Sequence, residues 1–266
     1  MKQQSEHGFT SVDQQADPNA WVAVLDKLSA EPFYASYAQQ RVLEILKPHD
    51  GTRYLDLGAG TGDDARSIAS TANCRVVAVD RSFTMAKVCH TRGQIPAVVC
   101  EASALPFPAA TFDGARADRT FQHLLDPTRA LSEMVRVSKT GARVITVDPD
   151  YDTQVMEFPD QDLARRVLRY RAERGLRNGT IAHRMPAMFR DAGLHSVQVH
   201  PLTLTVFDST AIDNVMGLRT WARTAAADEY VSTEDAARWE TLFDRTVQEG
   251  KFLYAVAFFI TFGVKE

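Results

Sequence analysis

A glycine-rich turn constrains the fold of this chain more than any other feature. Residues 54–65, with the sequence YLDLGAGTGDDA, predict a strand that runs into a tight turn and then into a helix. Gly58, Gly60 and Gly62 stand at alternate positions, so the backbone can bend sharply there. We expect a ligand to lie against bare main chain above the carboxyl end of this strand.

Two acidic residues after the turn argue against a phosphate ligand. Asp63 and Asp64 suit a helix start, where free N–H groups and the positive end of the helix dipole favour carboxylates. A pyrophosphate on the same helix would meet two negative charges. In the dinucleotide fingerprint G-x-G-x-x-G the third glycine would fall at Asp63, whereas this chain has G-x-G-x-G. A nicotinamide-binding or noncatalytic protein is therefore the disfavoured interpretation.

A second carboxylate follows at the end of the next strand. Residues 75–80 predict a buried strand that ends in Asp80, about twenty residues beyond the second glycine, a position that suits a pair of ribose hydroxyls. With these features the chain resembles the class I S-adenosylmethionine-dependent methyltransferases. It is most similar to the small-molecule branch with the methyltransferase type 11 domain, which includes ubiquinone, menaquinone and natural-product methyltransferases.

Further motifs carry the resemblance across residues 54–147. A Phe-Asp pair at Phe112 and a His-Leu-x-Asp-Pro motif that begins at His123 recur at the spacing of the family. The family usually has aspartate where this chain has Glu101, and proline where it has Thr140. A glutamate can still accept a hydrogen bond from the adenine amino group, so the expected cofactor stays the same.

The resemblance implies S-adenosylmethionine as the cofactor and S-adenosylhomocysteine as its product. Asp56 would orient the turn or reach the amino acid end of the donor, Met85 would pack against adenine, and Glu101 would bind the adenine amino group. The full set of implied cofactor-binding residues is Asp56, Gly58, Ala59, Gly60, Asp80, Arg81, Met85, Glu101, Ala102 and Ala117.

Alternating strands and helices predict an α/β protein with helices on both faces of a parallel sheet. The resemblance implies a doubly wound, Rossmann-like sheet of seven mostly parallel strands whose last strand is antiparallel. We expect an N-terminal helical cap (1–50), a cofactor-binding core (51–150) and a C-terminal part of the core with helical lid insertions (151–266). Pro201 suits an edge strand, and the apolar run from Leu253 to Phe262 suits a buried strand.

The amino-acid composition limits the classes of molecule that the chain is expected to bind. Thirty basic and thirty-four acidic side chains among 266 residues give a net charge of −4, which provides no bulk attraction to nucleic acid or to an anionic membrane. The three cysteines form no C-x-x-C pair, and no apolar run is long enough to span a bilayer. The amino terminus lacks the apolar core of a signal peptide. We expect a cytoplasmic protein with a small-molecule acceptor, aromatic or lipophilic, and with no nucleic acid partner.

Methyl transfer from a sulfonium requires alignment and exclusion of water more than a dedicated catalytic group. Where the acceptor must lose a proton, a base helps, and His123 stands at the family position that faces the donor methyl. The alternative is a structural hydrogen-bonding histidine. Asp148, Asp150 and Asp152 follow the predicted fifth strand, where Asp150 is a candidate substrate contact. A magnesium site there is the less favoured interpretation, and no metal is expected.

The remaining segments carry no recognised motif. Residues 162–178 predict an arginine-rich helix, which we interpret as a solvated lid helix and not as a nucleic-acid surface, because acids are interleaved and no aromatic series accompanies the arginines. Residues 212–249 are expected to be helical throughout. Phe9, Tyr34 and Tyr37 in the cap are candidate pocket residues, with core packing as the alternative.

The sequence thus predicts a methyltransferase that acts on oxygen, nitrogen or carbon of a small organic acceptor in secondary or quinone-type metabolism. The second hypothesis is a protein of the same fold that uses the bound cofactor for a rearrangement, a cyclisation or a decarboxylation without methylation. Fold alone does not separate the two.

Overall fold

The computed structural model describes residues 8–207 and 217–266, apart from the side chains of residues 38 and 39. The expectations for residues 1–7 and 212–216 lie outside this range. The strands are β1 (Arg53–Leu57), β2 (Arg75–Asp80), β3 (Ala97–Val99), β4 (Phe112–Asp118), β5 (Ser138–Glu157), β6 (Leu194–Val206) and β7 (Leu253–Lys265). They form one sheet in the order β3-β2-β1-β4-β5-β7-β6.

The topology confirms the expected fold class. Strands β1 to β5 pair in parallel, and β7 lies antiparallel between β5 and β6. Pro201 lies on β6, which is an edge strand, so its missing N–H does not interrupt a central ladder. Since the order reverses between β1 and β4, the carboxyl ends of these strands border the crevice in which such sheets bind ligands.

Helices cover both faces of the sheet. They are α1 (Pro18–Ala30), α2 (Pro32–Ser36), α3 (Val42–Leu46), α4 (Asp63–Thr71), α5 (Phe83–Gly93), α6 (Pro127–Val137), α7 (Gln161–Glu173), α8 (Ile181–Asp191), α9 (Trp221–Ala227) and α10 (Thr233–Gln248), with a π-helical turn between α2 and α3. Side chains alternate between the two faces of the sheet along β1. Tyr54 packs into one of two apolar core clusters, and Leu55 and Leu57 pack into the other. In the described part of the chain, no helix is long and apolar enough to cross a membrane.

The glycine turn has the predicted backbone conformation. Gly58, Gly60 and Gly62 have φ angles of +70°, +52° and +80°, which side chains other than glycine rarely adopt. A Cβ atom on Gly58 would collide with the side chain of Thr120, and one on Gly62 would collide with Cys89. The space that a side chain would occupy at these glycines is filled by the protein itself, and a ligand lying against the main chain of the turn stays a prediction.

The segment before α1 is attached to the second helix of the core. The Asp13 carboxylate accepts hydrogen bonds from the Ser82 hydroxyl (2.8 Å) and from the backbone N–H groups of Phe83 (2.7 Å) and Thr84 (3.1 Å). These groups form the start of α5, where unpaired N–H groups favour a carboxylate. The Ser82 hydroxyl also accepts from the Met85 N–H, as its predicted cap position requires.

Strand β5 is longer than predicted. The sequence pattern ends it before Asp148, yet the strand continues to Glu157, with a shift of register between Asp150 and Val155. The extension exists because β7 is thirteen residues long and supplies partners along this length, including Phe259 opposite Asp148. The predicted polar turn is therefore part of the sheet, in which Asp148 and Asp150 are buried and Asp152 is exposed.

The lid segments are also shorter or more broken than predicted. The arginine-rich helix ends at Glu173 and not at Asn178, and α8 follows from Ile181 to Asp191. Residues 217–249 contain two helices separated by residues 228–232, so the prediction of a continuous helix is wrong for the described part of that segment. In that interval Tyr230 donates its N–H to the carbonyl of Ala225, which closes a turn at the end of α9.

Gly62→Ala should destabilise the fold more than Gly141→Ala. Both glycines have similar left-handed φ angles, +80° and +83°, but only Gly62 faces a neighbour, Cys89. We expect a cost of about 1–2 kcal/mol in unfolding free energy for Gly141→Ala from the backbone alone, and about 1–3 kcal/mol more for Gly62→Ala from overpacking. Urea denaturation measures both, and Cys89→Ala should restore part of the Gly62→Ala loss. Equal losses in the two single variants would contradict this account.

Candidate active site

Asp80 lies at the carboxyl end of β2, beside the glycine turn. Its Oδ2 accepts the Gly60 N–H at 2.9 Å and its Oδ1 accepts the Ser82 N–H at 2.8 Å. Each oxygen keeps a further lone pair, so the carboxylate can still accept two hydroxyl hydrogen bonds. Burial raises the pKa of Asp80, and the two backbone hydrogen bonds oppose that rise. A ribose diol fits this acceptor pair.

The N–H groups of the turn are already engaged. Gly58 and Ala59 donate to the Val79 carbonyl at 2.7 and 3.0 Å, and Gly62 donates to the Ala59 carbonyl at 2.9 Å. With the Gly60 N–H bound to Asp80, the turn offers a phosphate few donors of the kind found in dinucleotide sites. The geometry agrees with the expectation that the turn does not seat a pyrophosphate.

A buried arginine connects the turn to the middle of the sheet. Arg116 on β4 is 1% exposed, and its Nη1 lies 2.7 Å from Asp64 and 3.7 Å from Asp56. Its Nη2 lies 2.9 Å from Asp118. These three carboxylates come from α4, β1 and β4. The guanidinium therefore holds three elements together directly beneath the glycine turn.

The carboxylates outnumber the charge that Arg116 supplies. Burial raises the pKa of Asp56 to about 7, the attraction of Arg116 opposes that rise, and repulsion from Asp64 and Asp118 adds to it. The Asp56 Oδ2 atom is buried without a hydrogen-bond partner in the described structure. A buried acceptor without a donor is costly. The ammonium group of an amino acid ligand is a donor of the required charge.

The other implied cofactor residues differ in their exposure to solvent. Arg81 and Glu101 form an exposed ion pair of 3.5 Å at the rim of the crevice. Met85 and Ala102 are buried, and Met85 packs with Val12 from the segment before α1. Ala117 is fully buried in the sheet, between Leu57 on β1 and Thr146 on β5. Ala59 lies in the turn and is half-buried.

His123 closes a short 3₁₀ helix after β4 and lies under the cap. Its ring centroid is 5.9 Å from that of Phe9, which in turn packs at 4.8 Å on Trp21 of α1. Burial lowers the pKa of His123 to about 3, and the positive charges of Arg171, Arg177 and Arg119 add to this effect. The ring is neutral near pH 7 and weakly basic. Its role as a base stays a prediction, while its position beneath the cap fits a hydrogen-bond acceptor.

Asp150 is buried and connects β5 to α8 through hydrogen bonds. Its Oδ2 accepts the His183 N–H at 3.0 Å and lies 2.6 Å from His183 Nδ1, while its Oδ1 accepts the Asp152 N–H at 3.1 Å. These bonds satisfy unpaired N–H groups at the start of α8. A direct contact of Asp150 with substrate stays a prediction. Asp148 accepts the Gln122 N–H at 3.2 Å, and burial raises its pKa well above the usual range.

One group among the described residues has metal-ligand geometry. Potential ligand atoms of Asp150, Asp152 and His183 lie within 4.8 Å of one another. Asp152 and His183 are exposed, and the short bond between His183 and Asp150 accounts for the grouping without an ion. Acidic side chains close together at a surface are common, so the cluster alone does not establish a site.

The cap aromatics form a packed cluster over β7. Phe33, Tyr34 and Tyr37 surround Phe258 with ring centroids 5.1 to 5.9 Å apart. Tyr37 donates its hydroxyl to Asp118 at 3.0 Å, which connects the cap to the network around Arg116. Tyr34 and Tyr37 are nearly fully buried, so core packing accounts for them at least as well as a role in a pocket.

The sequence pattern did not point to four residues of this site: Asp13, Arg116, Arg119 and Arg171. Arg116 could have been found, because a charged residue inside a strand that is otherwise small and apolar needs a buried partner. Arg171 continues the apolar stripe of Ala164, Val167 and Leu168 at helical spacing. Asp13 carries no such indication in the sequence.

Comparison with known proteins identifies the family. Residues 55–146 match the family described as "Methyltransferase domain". The chain is 31% identical over 176 residues to the ubiquinone/menaquinone biosynthesis C-methyltransferase UbiE of Bordetella parapertussis, an alignment that covers 59% of this chain and 68% of that protein. The chain belongs to the S-adenosylmethionine-dependent methyltransferases. The family resemblance, the fold class and the cofactor that we expected from the sequence are thereby confirmed.

A second relative covers more of this methyltransferase. An uncharacterised 37.1 kDa protein in transposon TN4556 of Streptomyces fradiae is 32% identical over 224 residues, which is 82% of this chain and 65% of that protein. The chain thus spans slightly less than two thirds of the length of that relative. The similarity reaches well beyond the matched domain, into the cap or the lid segments.

A solved structure supports the fold. The phosphoethanolamine N-methyltransferase 2 of Haemonchus contortus, solved with phosphomonomethylethanolamine and S-adenosylhomocysteine, has a TM-score of 0.61 and 18% identity and covers 96% of this methyltransferase and 59% of that chain. The residues present here fit the family cofactor, because Asp80 retains acceptor capacity for a diol and Asp56 has an unpaired buried oxygen.

Removing the central guanidinium should destabilise the methyltransferase strongly. We expect Arg116→Met to lower the unfolding free energy by about 3–5 kcal/mol at pH 8, because it leaves buried carboxylates uncompensated. The loss should be smaller at pH 5.5, where Asp56, with its pKa of about 7, is protonated and needs no counter-charge. Denaturant unfolding at both pH values measures this, with the exposed Arg75→Gln as control. A loss below 1 kcal/mol at pH 8 would show that the network is dispensable.

Proposed function

We propose that this methyltransferase transfers a methyl group from S-adenosylmethionine to oxygen, nitrogen or carbon of a small organic acceptor, in secondary or quinone-type metabolism. The observation that carries the proposal is the position of the Asp80 carboxylate, held on the glycine turn by Gly60 at the carboxyl edge of the sheet. The similarity to a quinone C-methyltransferase supports an organic acceptor of this kind.

The cofactor would be held by residues from the first three strands and the turns after them. Asp80 would accept the ribose hydroxyls, Met85 and Ala102 would lie beside the adenine, and Asp56 would face the ammonium group. When bound, S-adenosylmethionine supplies an electrophilic methyl group. We propose that Gly58, Ala59, Gly60, Arg81, Glu101 and Ala117 complete this side of the site, as the family resemblance implies.

The chain's own contribution is alignment and exclusion of water. The cap, comprising residues 8–50, is attached to the core by Asp13 at the start of α5 and by Tyr37 at Asp118. Both attachments lie next to residues that we assign to the cofactor. A cap held in this way excludes water from the reacting atoms, which strengthens the electrostatic interactions there. His123 would orient the acceptor through a hydrogen bond to its neutral ring.

Loss of Asp80 should abolish cofactor binding. Two hydrogen bonds to a charged acceptor contribute about 1.5–3 kcal/mol each, so Asp80→Ala should weaken S-adenosylhomocysteine binding about 100-fold or more. Asp80→Asn, which retains one acceptor oxygen, should lose less. Titration calorimetry on the wild type and both variants measures this, with NAD as a control ligand and thermal unfolding as a check of folding. Preferential binding of NAD by the wild type would refute the cofactor site.

Cofactor affinity should depend on pH through Asp56. Its pKa of about 7 means that the carboxyl is mostly protonated at pH 6 and must lose its proton to hold an ammonium group. Binding of S-adenosylhomocysteine should therefore strengthen about tenfold from pH 6 to pH 8, as the charged fraction rises. The pH dependence should flatten in Asp56→Asn and persist in the control Asp63→Asn, whose carboxylate pairs with Arg66. Identical pH profiles in the wild type and Asp56→Asn would exclude this role.

The reaction itself is tested by product analysis. Incubation with S-adenosylmethionine and a panel of phenols, amines and quinols should yield S-adenosylhomocysteine together with a product heavier by one methylene. Conversion of an acceptor without that mass gain and without S-adenosylhomocysteine would support the alternative, a rearrangement or cyclisation.

A further inference from the structure

Arg171 differs from the other arginines of its helix. Arg165, Arg166 and Arg169 are exposed on α7, and each pairs with a carboxylate, from Asp162, Asp235 and Glu173 respectively. Arg171 is half-buried and forms no ion pair within the residues that the structure describes. The helix therefore has a solvated face, as the sequence predicts, and one cation that points away from it.

The Arg171 guanidinium lies against two aromatic rings. Its Cζ atom is 5.3 Å from the ring centroid of Tyr151 and 4.9 Å from that of Trp221. Its Nε atom is buried without a hydrogen-bond partner, and its closest polar contact is a marginal one of 3.5 Å from Nη1 to the Gly175 carbonyl. Most donors of a planar, five-donor group are thus unused in a partly apolar environment. An unpaired buried donor needs a partner, and here the chain does not provide one.

Two further guanidiniums come close to the same place. Arg119, directly after β4, lies with its Cζ 4.5 Å from the Tyr34 ring centroid and donates Nε to Asp118 at 3.1 Å. Arg177 donates Nη1 to the His123 carbonyl at 3.1 Å. With Arg171, all three lie close enough to His123 for their charges to lower its pKa. Arg177 therefore contacts the residue that the family resemblance places opposite the donor methyl, and Arg171 and Arg119 act on it through their charge.

The acids nearby are engaged by groups other than Arg171. Asp118 is shared between Arg116 and Arg119 and also accepts the Tyr37 hydroxyl. Asp148 accepts the Gln122 N–H, and burial raises the pKa of its carboxyl well above the usual range. Asp150 is engaged by the backbone and ring of His183. Among the described residues none of these acids pairs with Arg171, which lies beside the rings of Tyr151 and Trp221.

We propose that the acceptor is a small planar molecule with an anionic group, a carboxylate or a phosphate, which the Arg171 guanidinium binds beside Tyr151 and Trp221. This inference rests on the proposed function and specifies its substrate class. Guanidinium groups bind carboxylates and phosphates through two parallel hydrogen bonds, which are stronger than neutral ones. The adjacent rings suit the flat body of the acceptor.

The test uses matched probes on the protein saturated with S-adenosylhomocysteine. Benzoate, phenyl phosphate and the neutral isostere benzamide are titrated by calorimetry into the wild type, Arg171→Gln and Arg171→Lys. At least one anion should bind about tenfold or more tightly than benzamide, the difference expected for a hydrogen-bonded ion pair over a neutral contact. Benzoate and phenyl phosphate distinguish a carboxylate from a phosphate acceptor.

The variants separate charge from packing. Arg171→Gln should lose the preference for the anion, Arg171→Lys should keep it in weaker form, and the exposed control Arg165→Gln, on the same helix, should leave it unchanged. S-adenosylhomocysteine affinity should stay within about twofold in all three, which also shows that they fold. Equal binding of anions and benzamide, or no anion binding at millimolar concentration, would overturn the acceptor assignment alone. Failure of the wild type to bind S-adenosylhomocysteine would overturn the proposed function as well.

Discussion

The ion network around Arg116 is the interaction on which the rest of the site depends. A guanidinium in the middle of a parallel strand is stable only because Asp56, Asp64 and Asp118 surround it. These carboxylates come from three elements that meet under the glycine turn, so the same contacts fix the turn over the sheet. Burial is the main cause of the raised pKa of Asp56, and repulsion from Asp64 and Asp118 adds to it. A ligand with a positive charge relieves that repulsion, so cofactor binding and fold stability are thermodynamically linked.

The cap is attached to this network and not only to the apolar core. Tyr37 reaches Asp118, and Asp13 reaches the first turn of α5 immediately after Asp80. Movement of the cap would therefore break hydrogen bonds to residues that flank the cofactor site. The two attachments lie on different elements, one at the start of α5 and one at the end of β4. This arrangement couples access to the site with the integrity of the site itself.

The part of the structure that follows from local pattern was predictable from the sequence. Gly58, Gly60 and Gly62 require positive φ angles, and Asp80 ends a strand, so the turn and the position of the Asp80 carboxylate could be predicted without knowledge of distant contacts. The seven mostly parallel strands and the antiparallel last strand followed from the family resemblance. The extension of β5 could not be predicted, because it depends on pairing with β7, about a hundred residues later. The helical spacing of Arg171 from Ala164, Val167 and Leu168 placed it on the buried face of the helix. The charged residues beside it in the sequence nevertheless suggested a solvated helix.

The charges of the site are separated by the topology of the sheet. Three carboxylates lie on the side that we assign to the donor: Asp56 on β1, Asp64 on α4 and Asp80 on β2. Arg171 on α7, and Arg177 just after this helix, lie on the side that we assign to the acceptor. Arg119, which follows β4, lies between them and pairs with Asp118. A cationic donor and an anionic acceptor would each meet complementary charge, and each would be repelled from the other's position. This separation of charge disfavours a cationic acceptor near α7. The chain therefore selects its acceptor by charge before it selects it by shape.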